Sequence, residues 1–268
     1  SVMVRFPLVK EEGVSLVIWT TTPWTLPANM AVACNPDMDY SLVELSGEPG
    51  SERIICMTSQ IEYVMNKGGY SASNIIWTKK GTELVGLEYR PPFDIDTKFT
   101  KPSEWTYRVV TASYVEESDT GLVHTAPGFG PDDFETGKRN GIHPYCPVGE
   151  DGCYTHEFPQ MEGAQVWKAE DPSGKKDDEG RPKRVISPAN VEILKYLAEK
   201  GILFNKENVK HSYGHCWRCK TPIIYRNTRQ WFISVPSVKD TMMEEIDRVT
   251  WVPEWAGASR EKNWVESA

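Results

Sequence analysis

Eight short runs rich in β-branched residues crowd the first half of the chain: VMVRF, VSLVIWT, MAVAC, YSLVEL, RIICM, NIIWT, YRVVTASYV and GLVHT. Turn-forming clusters such as SGEPGS and NKGG separate them. Strands this short bury a face only by pairing and curling together, so the pattern predicts a barrel or a sandwich. Helical patterns are few. SQIEYVMNKGG reads as a short helix with glycine after its end. In GPDDFETGKRNG, Pro131 suits the first helical position, Asp132 and Asp133 fill the first turn, and Gly141 follows the end. SPANVEILKYLAEKG is the clearest helix. Ser187 caps it, Pro188 starts it, Val191, Leu194, Leu197 and Ala198 form its expected buried face, and Gly201 stops it.

Composition narrows the function. With 268 residues, 39% hydrophobic and 25% charged, the chain suits one large soluble domain or a domain with an appendage. The formal charge of −8 argues against a general phosphate-binding surface. It leaves room for contact with one nucleotide end, where stacking and hydrogen bonds suffice. No apolar run is long enough for a membrane span, and the first residues lack the pattern of a secretory leader. Six cysteines are too sparse for a secreted disulfide scaffold, so reduced thiols and a cytoplasmic location are expected.

The character changes after Phe204. HSYGHCWRCKTPIIYRNTRQWFISV is basic and aromatic, SVKDTMMEEIDRV reads as a helix, and a tryptophan-rich tail follows. A boundary is expected between Asn205 and His211, dividing the chain into 1–207 and 208–268. Before the SPAN helix lies EDPSGKKDDEGRPK, a solvated loop by composition.

Three motifs could carry chemistry. In WTTTPWTLP, Pro23 and Pro27 exclude the middle of a sheet, so a strand ends there and spills Thr20, Thr21, Thr22 and Thr25 into a turn between Trp19 and Trp24. Such hydroxyls hold a ribose edge, an ester carbonyl or a water, or else bond only to local backbone. In GLVHTAPGFGPDDFE a strand delivers His124. Gly128 and Gly130 allow close approach of a ligand, Phe129 offers a stacking face, and two aspartates open a helix. Each of these residues also has a structural explanation. The acids complement a helix dipole and the histidine packs at a strand end. No serine has a nucleophile-elbow context, so a hydrolase triad is not indicated. Cys216 and Cys219, in CWRC, supply two of the four ligands of a structural zinc; His211 and His215 are the local candidates to add to them. A redox pair is the other reading, though no thioredoxin-like βαβ context surrounds it.

Together LVIWTTTPWTLPAN, TGLVHTAPGFGPDDFE and HSYGHCWRCKTPIIYRNTRQWFIS resemble the isoleucyl-tRNA synthetases, in order and spacing, from about Ser1 to the last residue. The match is to the insertion that interrupts their catalytic domain and carries the editing site. The valyl and leucyl relatives have an arginine where this chain has Thr22. Neither the HIGH nor the KMSKS ATP-site signature occurs. The resemblance implies an α+β, predominantly β, barrel-like editing domain with peripheral helices over 1–207. It also implies a connecting segment over 208–268 that leads back toward a catalytic core outside this chain. The charged loop 170–183 is longer than in many relatives.

What the resemblance implies about function is specific: hydrolysis of the aminoacyl ester of Val-tRNA(Ile), with no ligase activity from this chain alone. Asp133 is the expected anchor for the substrate ammonium and His124 the size gate. Thr20, Thr21 and Thr22 face the ester, with Trp19, Trp24, Thr25, Gly128, Phe129 and Gly130 completing the substrate wall. The expected partners are the 3′ end of mischarged tRNA(Ile) and the rest of the synthetase, with no membrane. No cofactor is expected for editing. Zinc at Cys216 and Cys219 is expected only in the full-length protein, where the family's second cysteine pair lies upstream of the editing domain. A non-catalytic tRNA-binding or docking module of the same synthetase is the alternative.

Overall fold

In the computed structural model the described residues are 1–94, 102–167, 187–208, 213–218 and 222–267. They form two compact units, Ser1–Asn227 and Thr228–Ala268. The expected strands are present in the first: β1 (Val2–Pro7), β2 (Val14–Thr20), β3 (Ala31–Cys34), β4 (Asp39–Gly47), β5 (Gly50–Met57), β6 (Ala72–Lys80), β7 (Arg108–Thr111) and β8 (Leu122–Thr125). The run YRVVTASYV yields only the four residues of β7 before turning away. A ninth strand, β9 (Leu203–Lys206), falls where the sequence showed only the edge of a composition change, and it pairs antiparallel with β1.

The sheet runs β6-β4-β5-β2-β8-β3-β7, with β1 on the other edge of β2. One edge of β2 serves two partners. Its beginning pairs in parallel with β5 over Val14–Leu16, and its end pairs in parallel with β8 at Trp19 and Val123. The sheet therefore forks at Trp19. One branch closes on itself: Glu88 bridges to Arg108 of β7, and Tyr89 bridges to Leu8 just beyond β1. The backbone bonds Tyr89 N to Tyr107 O (3.0 Å) and Arg90 N to Pro7 O (2.8 Å) complete the ring. The result is a small barrel of β1, β2, β8, β3 and β7, closed by the 88–89 segment.

Alternation along the strands fills both faces. Val2, Val4 and Phe6 of β1 join the large core with Leu16 and Ile18 of β2, whereas Met3 and Val17 join a second cluster with Val43, Ile54, Val64 and Phe204. Arg5 borders that second cluster. Its guanidinium pairs with Glu52 at 2.7 Å and lies over the Phe204 ring. Tyr70 also donates to Glu52.

The helices are peripheral. They are α1 (Ile61–Gly68), a four-residue α2 (Gly81–Leu84), α3 (Pro131–Arg139), α4 (Pro188–Glu199) and, in the second unit, α5 (Val235–Arg248) and α6 (Lys262–Glu266). Ser187 caps α4 as expected, accepting from Asn190 N. The buried stripe of α4 differs from the expected one. Ala189, Ile193 and Leu197, spaced four apart, face the core, while Val191 is exposed. Of the expected face, Leu197 is buried and Leu194 packs half-buried against the core, whereas Val191 and Ala198 are exposed; apolar residues outnumber the buried positions on this helix. No described helix is long and apolar enough to cross a membrane.

Tyr40 ties the strand carrying His124 to the core. Its buried hydroxyl accepts from Asn35 N (2.9 Å) and donates to Gly121 O (2.8 Å), next to the start of β8. Tyr40→Phe leaves both backbone groups unpaired in a dry core. It should lower the unfolding free energy by about 1–3 kcal/mol, read from denaturant midpoints at unchanged slope.

Candidate functional site

The stretch after β2 folds locally as its composition demands. β2 ends at Thr20, and a 3-10 helix occupies Pro23–Ala28 with Pro23 at its start. Thr20 Oγ1 accepts from Thr22 N at 3.0 Å, and Thr25 Oγ1 donates to Thr22 O at 2.8 Å. Thr21 and Thr22 bond to each other through their hydroxyls at 3.3 Å and remain half-exposed. Local bonding thus accounts for Thr20 and Thr25, while all four threonines also line a cavity of about 490 Å³ at the fork of the sheet. Trp19, Trp24, Val123, His124, Phe129 and Asp133 contribute to the same cavity.

His124 is held by a directional chain of hydrogen bonds. The Asn29 amide donates to Ala31 O (2.9 Å), which fixes its nitrogen on that side, and its second proton reaches His124 Nδ1 (3.3 Å). Tyr89 donates to Asn29 Oδ1 at 2.6 Å. With Nδ1 accepting, the neutral ring carries its proton on Nε2 and donates to Thr25 Oγ1 at 2.7 Å. Burial lowers the imidazole pKa to about 4, so the ring is neutral at physiological pH. Both nitrogens are committed to the scaffold. What His124 offers the cavity is a fixed, uncharged shape.

Asp133 occupies the third position of α3, whose N-cap is Gly130. Its Oδ2 accepts from Ala126 N at 2.9 Å, and the Tyr114 hydroxyl lies 3.5 Å from Oδ1. Burial raises its pKa to about 6, against the Ala126 and Tyr114 bonds that lower it, with Asp132 adding slightly. Asp132 and Phe134 point to solvent. The helix therefore separates its two aspartates, one lining the cavity and one outside it.

The loop glycines have a different explanation from the expected one. A Cβ on Gly128 would lie 2.3 Å from Tyr145 O, so close packing against the protein's own backbone already requires glycine there. A Cβ on Gly130 would make ordinary contact with Asp133. Neither glycine lines the cavity described above. Phe129 does, but it is buried and meets the Trp24 ring edge-on at 5.1 Å, which leaves little face for stacking.

Sequence reasoning missed several participants. Asn29, Tyr89 and Tyr114 are buried or half-buried polar partners that no local motif marks. Tyr213, Gly214, Ile223 and Tyr225 also line the cavity, although they sit in the basic, aromatic stretch that read as a connector. Cys216 is a half-exposed free thiol; Cys219 and His211 lie outside the described residues. Among the described residues no three His, Cys, Asp or Glu side chains cluster to hold a metal ion, and a Cys216–Cys219 pair alone fills half a zinc tetrahedron.

A mixed, curled sheet with few, peripheral helices matches the fold of the editing (CP1) domains of class I synthetases. The crystal structure of GlLeuRS-CP1 aligns at TM-score 0.50 and 13% identity, over 78% of this chain and 99% of that one, a likeness of fold alone. Residues 9–268 match the family described as tRNA synthetases class I (I, L, M and V), and the chain belongs to that family. Within it, the chain is 41% identical over 268 residues to the isoleucine–tRNA ligase of Archaeoglobus fulgidus, covering 100% of this chain and 24% of that protein. It is likewise 41% identical over 269 residues to the isoleucine–tRNA ligase of Methanothermobacter thermautotrophicus, covering 100% and 23%. The chain thus spans about a quarter of the length of the curated relatives it matches.

The raised Asp133 pKa makes a signed prediction. Between the ordinary carboxylate value of 3.8 and about 6, the folded state holds a proton that the unfolded state has lost. Stability therefore falls as pH rises through that window, and the cost is fully present above it. His124 works in the opposite direction, losing stability as pH falls from 6.5 toward about 4, and it is unchanged in an Asp133 variant. Asp133→Asn keeps an acceptor for Ala126 N without the charge. It should be more stable than wild type at pH 7.5, by on the order of 1–3 kcal/mol, with the difference gone below pH 4. A less stable variant at pH 7.5 would contradict the assignment.

Proposed function

We propose that the chain edits mischarged tRNA after transfer, hydrolysing the aminoacyl ester of Val-tRNA(Ile) as the editing module of an isoleucine–tRNA ligase in the cytoplasm. The observation that carries this reading is the pairing, in one cavity, of a half-buried carboxylate at Asp133 with a rigid neutral imidazole at His124. The carboxylate anchors the α-ammonium, which gains from a charge-assisted bond in a partly desolvated site and in turn keeps Asp133 ionised. His124 takes the space that an extra methylene would need. A hydrophobic pocket discriminates one methylene by only about 10–200-fold, a magnitude for which isoleucyl-tRNA synthetase is itself the established worked case. A second, steric sieve answers that limit.

In the reaction a water oxygen adds to the ester carbonyl, the C–O bond to the ribose breaks, and the released hydroxyl takes up the proton. Thr21 and Thr22 supply hydroxyls beside the cavity for that water and the ester. His124 is not the base, because Nδ1 accepts from Asn29 and Nε2 donates to Thr25. Placement of an already labile ester then contributes most of the acceleration. ATP-dependent ligation of isoleucine belongs, on this reading, to the rest of the synthetase.

Incubating the chain with Val-tRNA(Ile) should release valine. Bound tRNA with no release would favour a docking module. Asp133→Ala should abolish release, with a loss on the order of a hundredfold or more, whereas Asp132→Ala should be mild because that side chain faces solvent. His124→Ala should open the sieve: the ratio of Ile-tRNA to Val-tRNA deacylation rates should rise by about tenfold or more. If both rates fell together at constant ratio, His124 would be scaffold and no gate.

A further inference from the structure

The turn that follows β7 carries a phenol toward the carboxylate of the cavity. It is pinned on both sides of Tyr114. Ala112 N donates to Cys34 O at 2.8 Å, and the buried Asn35 amide donates to Val115 O at 2.8 Å. Both anchors sit at the end of β3, which pairs in parallel with β7. The Tyr114 ring packs half-buried against the main core and borders a second, smaller cavity of about 170 Å³. A phenylalanine ring has the same shape, so packing alone does not call for the hydroxyl. That hydroxyl lies 3.5 Å from Asp133 Oδ1. Burial raises the phenol pKa to about 12, with the Asp133 charge adding to the rise, so Tyr114 is a neutral donor at physiological pH.

A carboxylate held at one oxygen can still pivot. Ala126 N fixes Oδ2 of Asp133 at 2.9 Å, and a donor on the other oxygen sets the plane of the group. The Thr125 and Thr136 hydroxyls also act on the Tyr114 phenol, each lowering its pKa. Thr136 Oγ1 already accepts from Arg139 at 3.1 Å, and Asp133 is the charged acceptor of the three, so it makes the stronger bond to the phenol. The other titratable groups around Asp133 are Asp132 on α3, which raises its pKa, and the neutral His124 of β8. Tyr213 and Tyr225 line the same cavity, and Glu116 and Asp119 line the smaller one with Tyr114. No Lys or Arg is among the described residues lining either cavity. In the free protein the Asp133 charge therefore rests on hydrogen bonds.

We propose that Tyr114 is a positioning residue for the site: its hydroxyl holds Oδ1 of Asp133 and fixes the plane in which the carboxylate receives the substrate ammonium. The proposal rests on the editing reading and adds to it a residue that acts through Asp133, since Tyr114 does not itself line the larger cavity. Thr125 Oγ1, buried and without a hydrogen-bond partner among the described residues, then has the phenol oxygen as its acceptor. The test titrates Asp133 by NMR of its carboxyl carbon in the full 268-residue chain. Tyr114→Phe should raise the Asp133 pKa by about 0.5–1 pH unit, the loss of one modest hydrogen bond to the charged form. The acid limb of kcat/KM for Val-tRNA(Ile) deacylation should move to higher pH with it, so the variant's deficit is larger at about pH 6 than at about pH 8. Substrate ionisation is common to both proteins and cancels in that ratio. Fluorotyrosine in place of Tyr114, a stronger donor of nearly the same shape, should move both quantities to lower pH. Unchanged far-UV circular dichroism checks the fold of each variant. A hydroxyl with a structural role only would lower the whole profile without shifting its limb. If the limb stayed in place, or the Asp133 titration in Tyr114→Phe matched wild type, the positioning role would be refuted while editing stood. If wild type released no valine, the editing reading would fall, and the role of Tyr114 with it.

Discussion

One edge of β2 carries two partners, and the site depends on that arrangement. Val14–Leu16 pair with β5 and Trp19 pairs with β8, so the two branches of the sheet part along a single strand. A continuous sheet would have run past this point with every backbone group paired. At the fork, β2 instead ends in Thr20 and passes into a 3-10 turn that two prolines keep out of any ladder. The opening this leaves is the cavity. Its walls are the ends of strands, the 3-10 turn, the first turn of a helix and the 213–214 and 223–225 stretches docked beside them.

The two central side chains show opposite uses of burial. Desolvation disfavours the charged form of both. For His124 this is harmless, because the neutral ring satisfies both nitrogens through Asn29 and Thr25. For Asp133 it is costly, since a carboxylate with a pKa raised to about 6 is still mostly ionised at neutral pH. The fold tolerates the cost through the Ala126 N–H, a single strong donor that limits the rise. A buried carboxylate that opposes the stability of the free protein is more often found at functional sites than elsewhere.

Glycine illustrates how one residue type serves unrelated ends in a short loop. Gly128 is required by a neighbouring carbonyl 2.3 Å from where its Cβ would stand, whereas Gly130 caps a helix in extended backbone where a Cβ would make only ordinary contact with Asp133. From APGFG alone the two are indistinguishable, and both read as ligand-cradling positions. Phe129 between them follows the same pattern, as it is packed against Trp24.

Local patterns in the sequence determined the first eight strands, the turn after β2 and the cap of α4, because each depends on neighbours within a few positions. The three motifs also determined the family, since their residues and order need no coordinates to be compared. Tertiary structure alone decided the rest. The barrel closes through Glu88 and Tyr89, which belong to no recognisable strand and gain their partners only from distant Leu8 and Arg108. The stripe Ala189–Ile193–Leu197 was chosen by what α4 packs against, not by its own apolar content. The tautomer of His124 is set by Asn29 and, behind it, Tyr89, 95 and 60 positions apart along the chain in successive bonds. Tyr225 reaches the cavity because backbone hydrogen bonds dock its segment there. Long-range pairing of this kind leaves no periodicity or spacing in the sequence, because the residues that meet are distant along the chain.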